Sequence, residues 1–280
     1  MSKSNIFFRL AYRGFSPYYY LRKYSFMLSH WNEFRARRAA YRGLQTEISF
    51  AQRNALSEFA LHGWTSLTFD NSRLSGVVAL CKTIEAEYES TIGNARIEST
   101  KDFWSVIVGS GKVDQHPELL AFVKDDYFKS LATLYIGEEA VLTDVSLTRS
   151  FATGKEPNHS QLWHLDADDT KILIFYLYCV DVDEGAGPFV LAPRNIILKT
   201  WLPRVFRKHG YSDSDFISRF QPAEITMVVG RAGTLFACDT VNTYHYGSRC
   251  VSPKSRLALS FRYSSFSGLY PVREVPFTNV

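Results

Sequence analysis

The chain has 280 residues, of which 46% are hydrophobic and 15% aromatic, so it can bury a sizeable core and a disordered chain is excluded. The net charge of +4 is mild, but residues 1–50 hold nine Lys/Arg against Glu33 and Glu47, a surplus of +7 that leaves −3 for residues 51–280. Cys81, Cys179, Cys238 and Cys250 form no paired CxxC spacing, which argues against a zinc ribbon or a disulfide framework and for free thiols. No apolar run is long enough for a spanning helix, and the N-terminus, broken by Arg9 and Arg13, lacks a signal-peptide core. The expectation is a soluble cytoplasmic protein. No glycine-rich phosphate loop supports a nucleotide enzyme, and the basic residues lack a nucleic-acid-binding motif.

Taken in order, residues 1–45 read as a basic, aromatic arm. A helix is expected over 19–40, where Tyr20, Tyr24, Met27, Trp31 and Phe34 recur at helical spacing. Arg35, Arg37 and Arg38 suit its C-terminal end, and Gly43 suits a stop. Such a helix could pack on the main domain, or meet anionic lipid, an acidic substrate or an acidic partner.

Residues 46–280 read as one domain, with helical support over 46–139 and core strands over about 140–265. Ser49 is placed to cap a helix running to Leu61, with Gly63 beyond its end. Residues 64–69 read as a strand, 71–92 as a helix, 93–116 as loop, and 117–135 as a helix with Pro117 in its first turn. Alternation of Val141, Val145 and Leu147 with Thr and Ser marks a half-buried strand. The apolar run 171–182 reads as a buried strand, 183–188 as a turn and 189–192 as a short strand. Helices are expected over 196–209 and 215–220, then strands over 224–229, 233–236 and 257–263.

The chemistry centres on Trp163-His164-Leu165-Asp166. In extended backbone, residues i and i+2 share a face, so His164 and Asp166 can present an imidazole and a carboxylate to one ion. His245 is a candidate third ligand. Two His and one carboxylate with open positions form the facial triad of non-haem ferrous enzymes. A structural reading stands beside each residue: a His in a sheet can be core, Asp166 can belong to the acidic run with Asp168 and Asp169, and Arg256 can be a strand-surface charge. Arg149 and Gln161 could reach the pocket or be structural. Trp163 is expected to pack beside the metal.

These residues also carry a family likeness. The order is the His164/Asp166 pair, then Asp181 to Asn195, then Arg231 to Ser248 around His245, then Ser255 to Ser264 with Arg256 eleven residues after His245. This arrangement, over about 140–265, resembles the phytanoyl-CoA dioxygenase-like family of iron- and 2-oxoglutarate-dependent oxygenases. The resemblance implies a mainly β, α+β fold: a double-stranded β-helix (jelly roll, cupin-like) with N-terminal helices packed against it. It implies His164, Asp166 and His245 as catalytic ligands of Fe(II), and Arg256 as the residue binding 2-oxoglutarate, whose carboxylate matches a guanidinium fork. Arg262 lies on the same strand with the same parity, so the offset from His245 is what favours Arg256. The implied activity is hydroxylation of a small molecule with dioxygen, releasing succinate and CO2. Asp166, in place of the Ala or Gly of related halogenases, implies oxygen insertion. The chain departs from the pattern at Ala192-Pro193-Arg194-Asn195, where the family usually has Pro-Gly-Ser-His, at a turn. The basic arm inclines the substrate toward an anionic or lipid-like molecule, or the arm toward a peripheral membrane or acidic partner. The alternative reading is a non-catalytic jelly-roll binding module with a retained metal site.

Overall fold

The computed structural model describes residues 24–45, 48–92, 101–166, 169, 171–199 and 210–266. Two β-sheets face each other, and helices cover one of them. The large sheet has six strands, β1 (Trp64–Ser66), β2 (Trp104–Val108), β3 (Ala140–Phe151), β4 (Ile172–Tyr178), β7 (Leu235–Cys238) and β9 (Ser255–Ser265), in the order β1-β7-β4-β9-β3-β2. The small sheet holds β5 (Phe189–Leu191), β6 (Thr226–Val228) and β8 (His245–Tyr246) in the order β6-β5-β8. Every named pairing is antiparallel. This is the mainly β, cupin-like architecture expected from the sequence, with helices ahead of it.

Strand parity sorts side chains into two layers. On β4 and β9, Leu173, Phe175, Leu177, Leu257, Leu259, Phe261 and Tyr263 point into the core under the helices. There α5 (Asp126–Ile136) sets Phe128 against Phe175 and Phe261, with ring centroids 5.0 and 4.9 Å away. Each fully buried ring of this kind contributes roughly 2–3 kcal/mol. The opposite face of the same strands carries Tyr178 and Ala258, which pack with Phe189, Leu191, Val228 and Phe236 between the sheets. Tyr178 also joins the sheets through polar contacts: its hydroxyl donates to the Val228 carbonyl at 2.9 Å and accepts from the Phe189 N–H at 3.0 Å.

The helices follow their local signals. Ser49 and Gln52 form a reciprocal capping box at the start of α2 (Phe50–His62), and Gly63 closes that helix in the left-handed region at φ 79°. Gly63 is needed twice over, because a Cβ there would lie 2.0 Å from the Thr243 hydroxyl. α3 (Asn71–Ile92) buries Leu74, Val77, Val78, Cys81 and Ile84. The single helix expected over 117–135 is two, α4 (Pro117–Val123) and α5, because the Asp125 side chain caps a new start by accepting from the Tyr127 N–H at 2.8 Å. The loop expected over 93–116 contains β2, an edge strand paired with β3 and shifted in register between Val106 and Val108. Its short run is interrupted by no alternation strong enough to announce it. α1 (Trp31–Gln45) extends five residues past the expected end. The expected positions 19–23 and 200–209 lie outside the described residues, and Arg194–Lys199 is a 3-10 helix.

Candidate metal centre

Backbone pairing builds the centre. His164 and His245 face each other as an antiparallel bridge, with His164 N–H to His245 O at 3.0 Å and His245 N–H to His164 O at 3.1 Å. Directly opposed residues send their side chains to the same face, so the imidazole centroids lie 4.2 Å apart. Two residues on, the Asp166 N–H donates to the Thr240 carbonyl at 3.0 Å, which keeps the segment extended and puts the carboxylate on that face. His164 Nε2 is 3.7 Å from Asp166 Oδ1, and one donor atom from each of His164, Asp166 and His245 lies within 4.8 Å of the others.

The surroundings prepare each donor. His164 Nδ1 is 2.7 Å from the Leu162 carbonyl, and His245 Nδ1 is 3.0 Å from the Thr243 carbonyl. A carbonyl only accepts, so Nδ1 is the donor in both rings, which leaves Nε2 as the ring atom available to a ligand. Burial, reinforced by the neighbouring His164 and opposed by Asp166, pushes the His245 imidazole down to about 4. Its neutral, ligating form therefore prevails near neutrality. Burial acts to raise the Asp166 carboxyl, but His245, His164 and the Thr240 hydrogen bond together hold it below the ordinary carboxylate value. Thr240 Oγ1 donates to Asp166 Oδ2 at 2.5 Å, leaving Oδ1 turned toward His164. Two imidazoles and one oxygen of a carboxylate are the donor set of a divalent transition ion with open positions, and their spacing fits one.

Arg256 lies beyond His245 between the sheets and is 6% exposed. Its Nη1 donates to the Gly187 carbonyl at 2.6 Å and its Nη2 to the Ser248 hydroxyl at 2.8 Å, while Nε is buried without a partner. No carboxylate among the described residues lies within ion-pair distance of it. A buried cation without a counter-charge is costly, so an anionic ligand is its natural complement. Gly247 packs closely beside this arginine: a Cβ there would sit 3.4 Å from Arg256 Nη1 and 3.5 Å from the Phe189 ring. The Phe189 ring in turn stacks on His245 at 5.1 Å.

Other residues sort themselves differently from expectation. Trp163 points away from the triad: it stacks on Phe216 of α6 (Asp213–Phe220) at 4.3 Å and donates to Asp213 at 2.9 Å. The i, i+1 relation to His164 requires this, since neighbours in a strand face opposite ways. Arg149 turns into the helix layer, paired with Glu85 and Glu89 of α3. Gln161 is buried and donates to the Ser248 carbonyl at 2.8 Å, supporting the turn after His245. Asp168 lies outside the described residues, while buried Asp169 accepts from the Ser265 hydroxyl at 2.5 Å, away from the triad. Arg194, at the departure from the family turn, reaches the Phe59 carbonyl and lies 3.8 Å from Asp239.

Thr240 and Lys101 were not foreseen. Thr240 lies five residues before His245, and only the folded turn shows that its hydroxyl meets Asp166. Lys101 precedes β2 in the stretch read as loop. Its Nζ donates to the Ser160 hydroxyl at 3.1 Å and lies 4.0 Å from the Trp104 ring centroid. Burial lowers its ammonium group, an effect that Asp166 counters. The aromatic pair Phe103-Trp104 next to a lysine was the available signal.

No protein-family model matches the chain, and no curated protein matches it. Solved structures do resemble it, at identities that speak to the fold. EctD from S. alaskensis with 2-oxoglutarate and 5-hydroxyectoine aligns at TM-score 0.56 and 16% identity, over 79% of this chain and 77% of that one. The non-haem alpha-ketoglutarate-dependent epimerase SnoN from nogalamycin biosynthesis aligns at TM-score 0.52 and 14% identity, over 76% and 82%. The alpha-ketoglutarate-dependent carbocyclase SnoK from the same biosynthesis aligns at TM-score 0.51 and 16% identity, over 77% and 83%. The chain thus shares the cupin-like fold of these enzymes, which are described as alpha-ketoglutarate-dependent or were solved with iron or 2-oxoglutarate. Among its described residues it has a His-Asp-His cluster able to hold a metal ion.

Proposed function

We propose that the protein is an Fe(II)- and 2-oxoglutarate-dependent dioxygenase of the phytanoyl-CoA dioxygenase-like type, hydroxylating a small molecule. The observation that carries this reading is the presence of two features in one fold: the His164/Asp166/His245 cluster, and a buried Arg256 with no carboxylate of its own among the described residues. A metal site alone would not call for the arginine. When bound, ferrous iron with 2-oxoglutarate supplies the activation of dioxygen, releasing succinate and CO2 and oxidising a substrate C–H bond.

The chain's part is to hold and shield. His164, Asp166 and His245 would ligate the metal, with their orientation set by the Leu162 and Thr243 carbonyls and by Thr240. Arg256 and Ser248 would hold the distal carboxylate of 2-oxoglutarate, with Gly247 beside them. Phe189, Phe236 and Tyr178 close the space between the sheets against water. The basic N-terminal arm, with nine Lys/Arg against two Glu in residues 1–50, is what inclines the substrate toward an anionic or lipid-like molecule. We also take residues 46–280 as a single catalytic domain.

The test is anaerobic titration with ferrous iron and 2-oxoglutarate, followed by a screen for succinate release. A weak visible charge-transfer band should appear in the wild type and vanish in His164→Ala. Arg256→Met should keep metal binding and weaken 2-oxoglutarate binding by at least about tenfold, as loss of a charge-assisted pair requires. Metal uptake without any effect of 2-oxoglutarate would sink the cosubstrate assignment, and no metal uptake would leave a jelly-roll binding module.

A further inference from the structure

The N-terminal helix docks by one side only. Residues 24–29 are helical, and the His30 N–H to Phe26 O and Phe34 N–H to His30 O bonds, 3.0 and 2.9 Å, carry the ladder into α1. The docked side is fixed by buried Phe34 and by Arg37. The Arg37 carbonyl accepts from the Glu139 N–H at 3.2 Å, and its guanidinium lies 3.7 Å from the Glu139 carboxylate and 4.3 Å from the centroid of the Phe266 ring.

At about 100° per residue, Tyr24, Leu28, Trp31, Arg35, Arg38 and Arg42 fall within an arc of about 80° that borders the docked side, with Arg38 about 40° from Phe34, and turns outward from it. Tyr24, Leu28 and Trp31 are 60%, 71% and 48% exposed, and the three arginines are exposed too. None of these arginines has a carboxylate partner among the described residues. The stripe is therefore apolar over its first two turns and cationic after that, along about 27 Å of helix at 1.5 Å per residue. The sequence immediately before it adds Lys3, Arg9, Arg13, Arg22 and Lys23 with no acidic residue.

We propose that this outward stripe seats the protein on an anionic lipid surface, with Tyr24, Leu28 and Trp31 in the interface and Arg35, Arg38 and Arg42 against phosphates. Charge alone would suit an acidic protein or a nucleic acid. What selects lipid is the exposed Tyr, Leu and Trp in line with the cations, since aromatic rings favour the interface and long arginine stems lie over apolar ground while their heads reach phosphate. The contact is peripheral: no described helix is long and apolar enough to cross a membrane. It is independent of the oxygenase reading, because none of these residues belongs to the metal centre.

The test is co-sedimentation of the full chain with vesicles of phosphatidylcholine alone and of phosphatidylcholine with roughly one-third phosphatidylserine. The wild type should bind the anionic vesicles only, less so as salt rises. The triple variant Arg35→Gln/Arg38→Gln/Arg42→Gln and the double variant Leu28→Glu/Trp31→Glu should each bind at least about tenfold more weakly. Circular dichroism should show both folded, because the changed side chains are exposed. His164→Ala should bind vesicles like the wild type, which separates this proposal from the fate of the metal centre. No binding by the wild type, or binding by the triple variant equal to wild type, overturns the proposal. So does a loss in the triple variant with unchanged binding in the double variant, which would mark a charge-only partner.

Discussion

The Thr240 hydroxyl would decide how Asp166 meets a metal. It engages Oδ2 and leaves Oδ1 turned toward His164, so Oδ1 would be the oxygen offered to an ion. Thr240→Val keeps the shape and removes the donor. Metal affinity should fall about 10- to 100-fold, the usual cost of losing a partner that orients a ligand. Thr240→Ser should recover most of it. Competition against a metallochromic indicator measures both, and a Val variant that binds metal like the wild type would show that Asp166 holds its orientation without the hydroxyl. The proposed ligands His164 and Asp166 stand out in the sequence because an i, i+2 spacing obeys strand geometry, whereas Arg256 stands out only through its offset from His245 in the family likeness. Thr240 could not be, because nothing local links a residue in the turn before β8 to a carboxylate 74 positions earlier.

That turn is an element-scale device. Asp239 is fully buried at its start. It accepts from the Tyr135 hydroxyl at 2.5 Å and the Asn242 side chain at 2.7 Å, and Arg194 stands 3.8 Å away. Burial raises the Asp239 carboxyl even so, against the pull of those partners. Helix α5, the 3-10 segment from Arg194 and the turn into β8 thus converge on one carboxylate. Tyr135→Phe should cost roughly 1–3 kcal/mol by leaving that oxygen short of a donor, read as a lower denaturation midpoint. A midpoint equal to wild type would mean that Asn242 and Arg194 satisfy Asp239 between them. The convergence also explains what could be read at this scale. Helices with strong caps, such as Ser49 to Gly63, and strands with clean alternation, such as β4 and β9, declare themselves locally. β2 does not, since an edge strand with a register shift owes its existence to β3. Nor does the break at Asp125, where one side chain offers the backbone a better start than continuing the helix.

At the scale of the whole molecule, both proposed ligands would sit between the sheets, touching segments that come together only on folding: His164 and Asp166 ahead of β4, His245 on β8, Arg256 on β9. An unfolded chain cannot present that set, so binding should stabilise the native state through mass action. At a hundredfold excess over its dissociation constant each ligand adds about 2.7 kcal/mol. For a chain of this size that corresponds to a rise in Tm of roughly 5–10 °C. Anaerobic thermal scans with Mn(II) in place of iron, with and without 2-oxoglutarate, read this directly. Metal alone should raise Tm, an excess of chelator should cancel the rise, and His164→Ala should abolish it. The 2-oxoglutarate shift should be large only when metal is present, because one end of that molecule would meet the metal and the other Arg256. A shift from 2-oxoglutarate of equal size in metal-free wild type and in His164→Ala would instead mean that Arg256 captures the anion alone, uncoupling the two halves of the site.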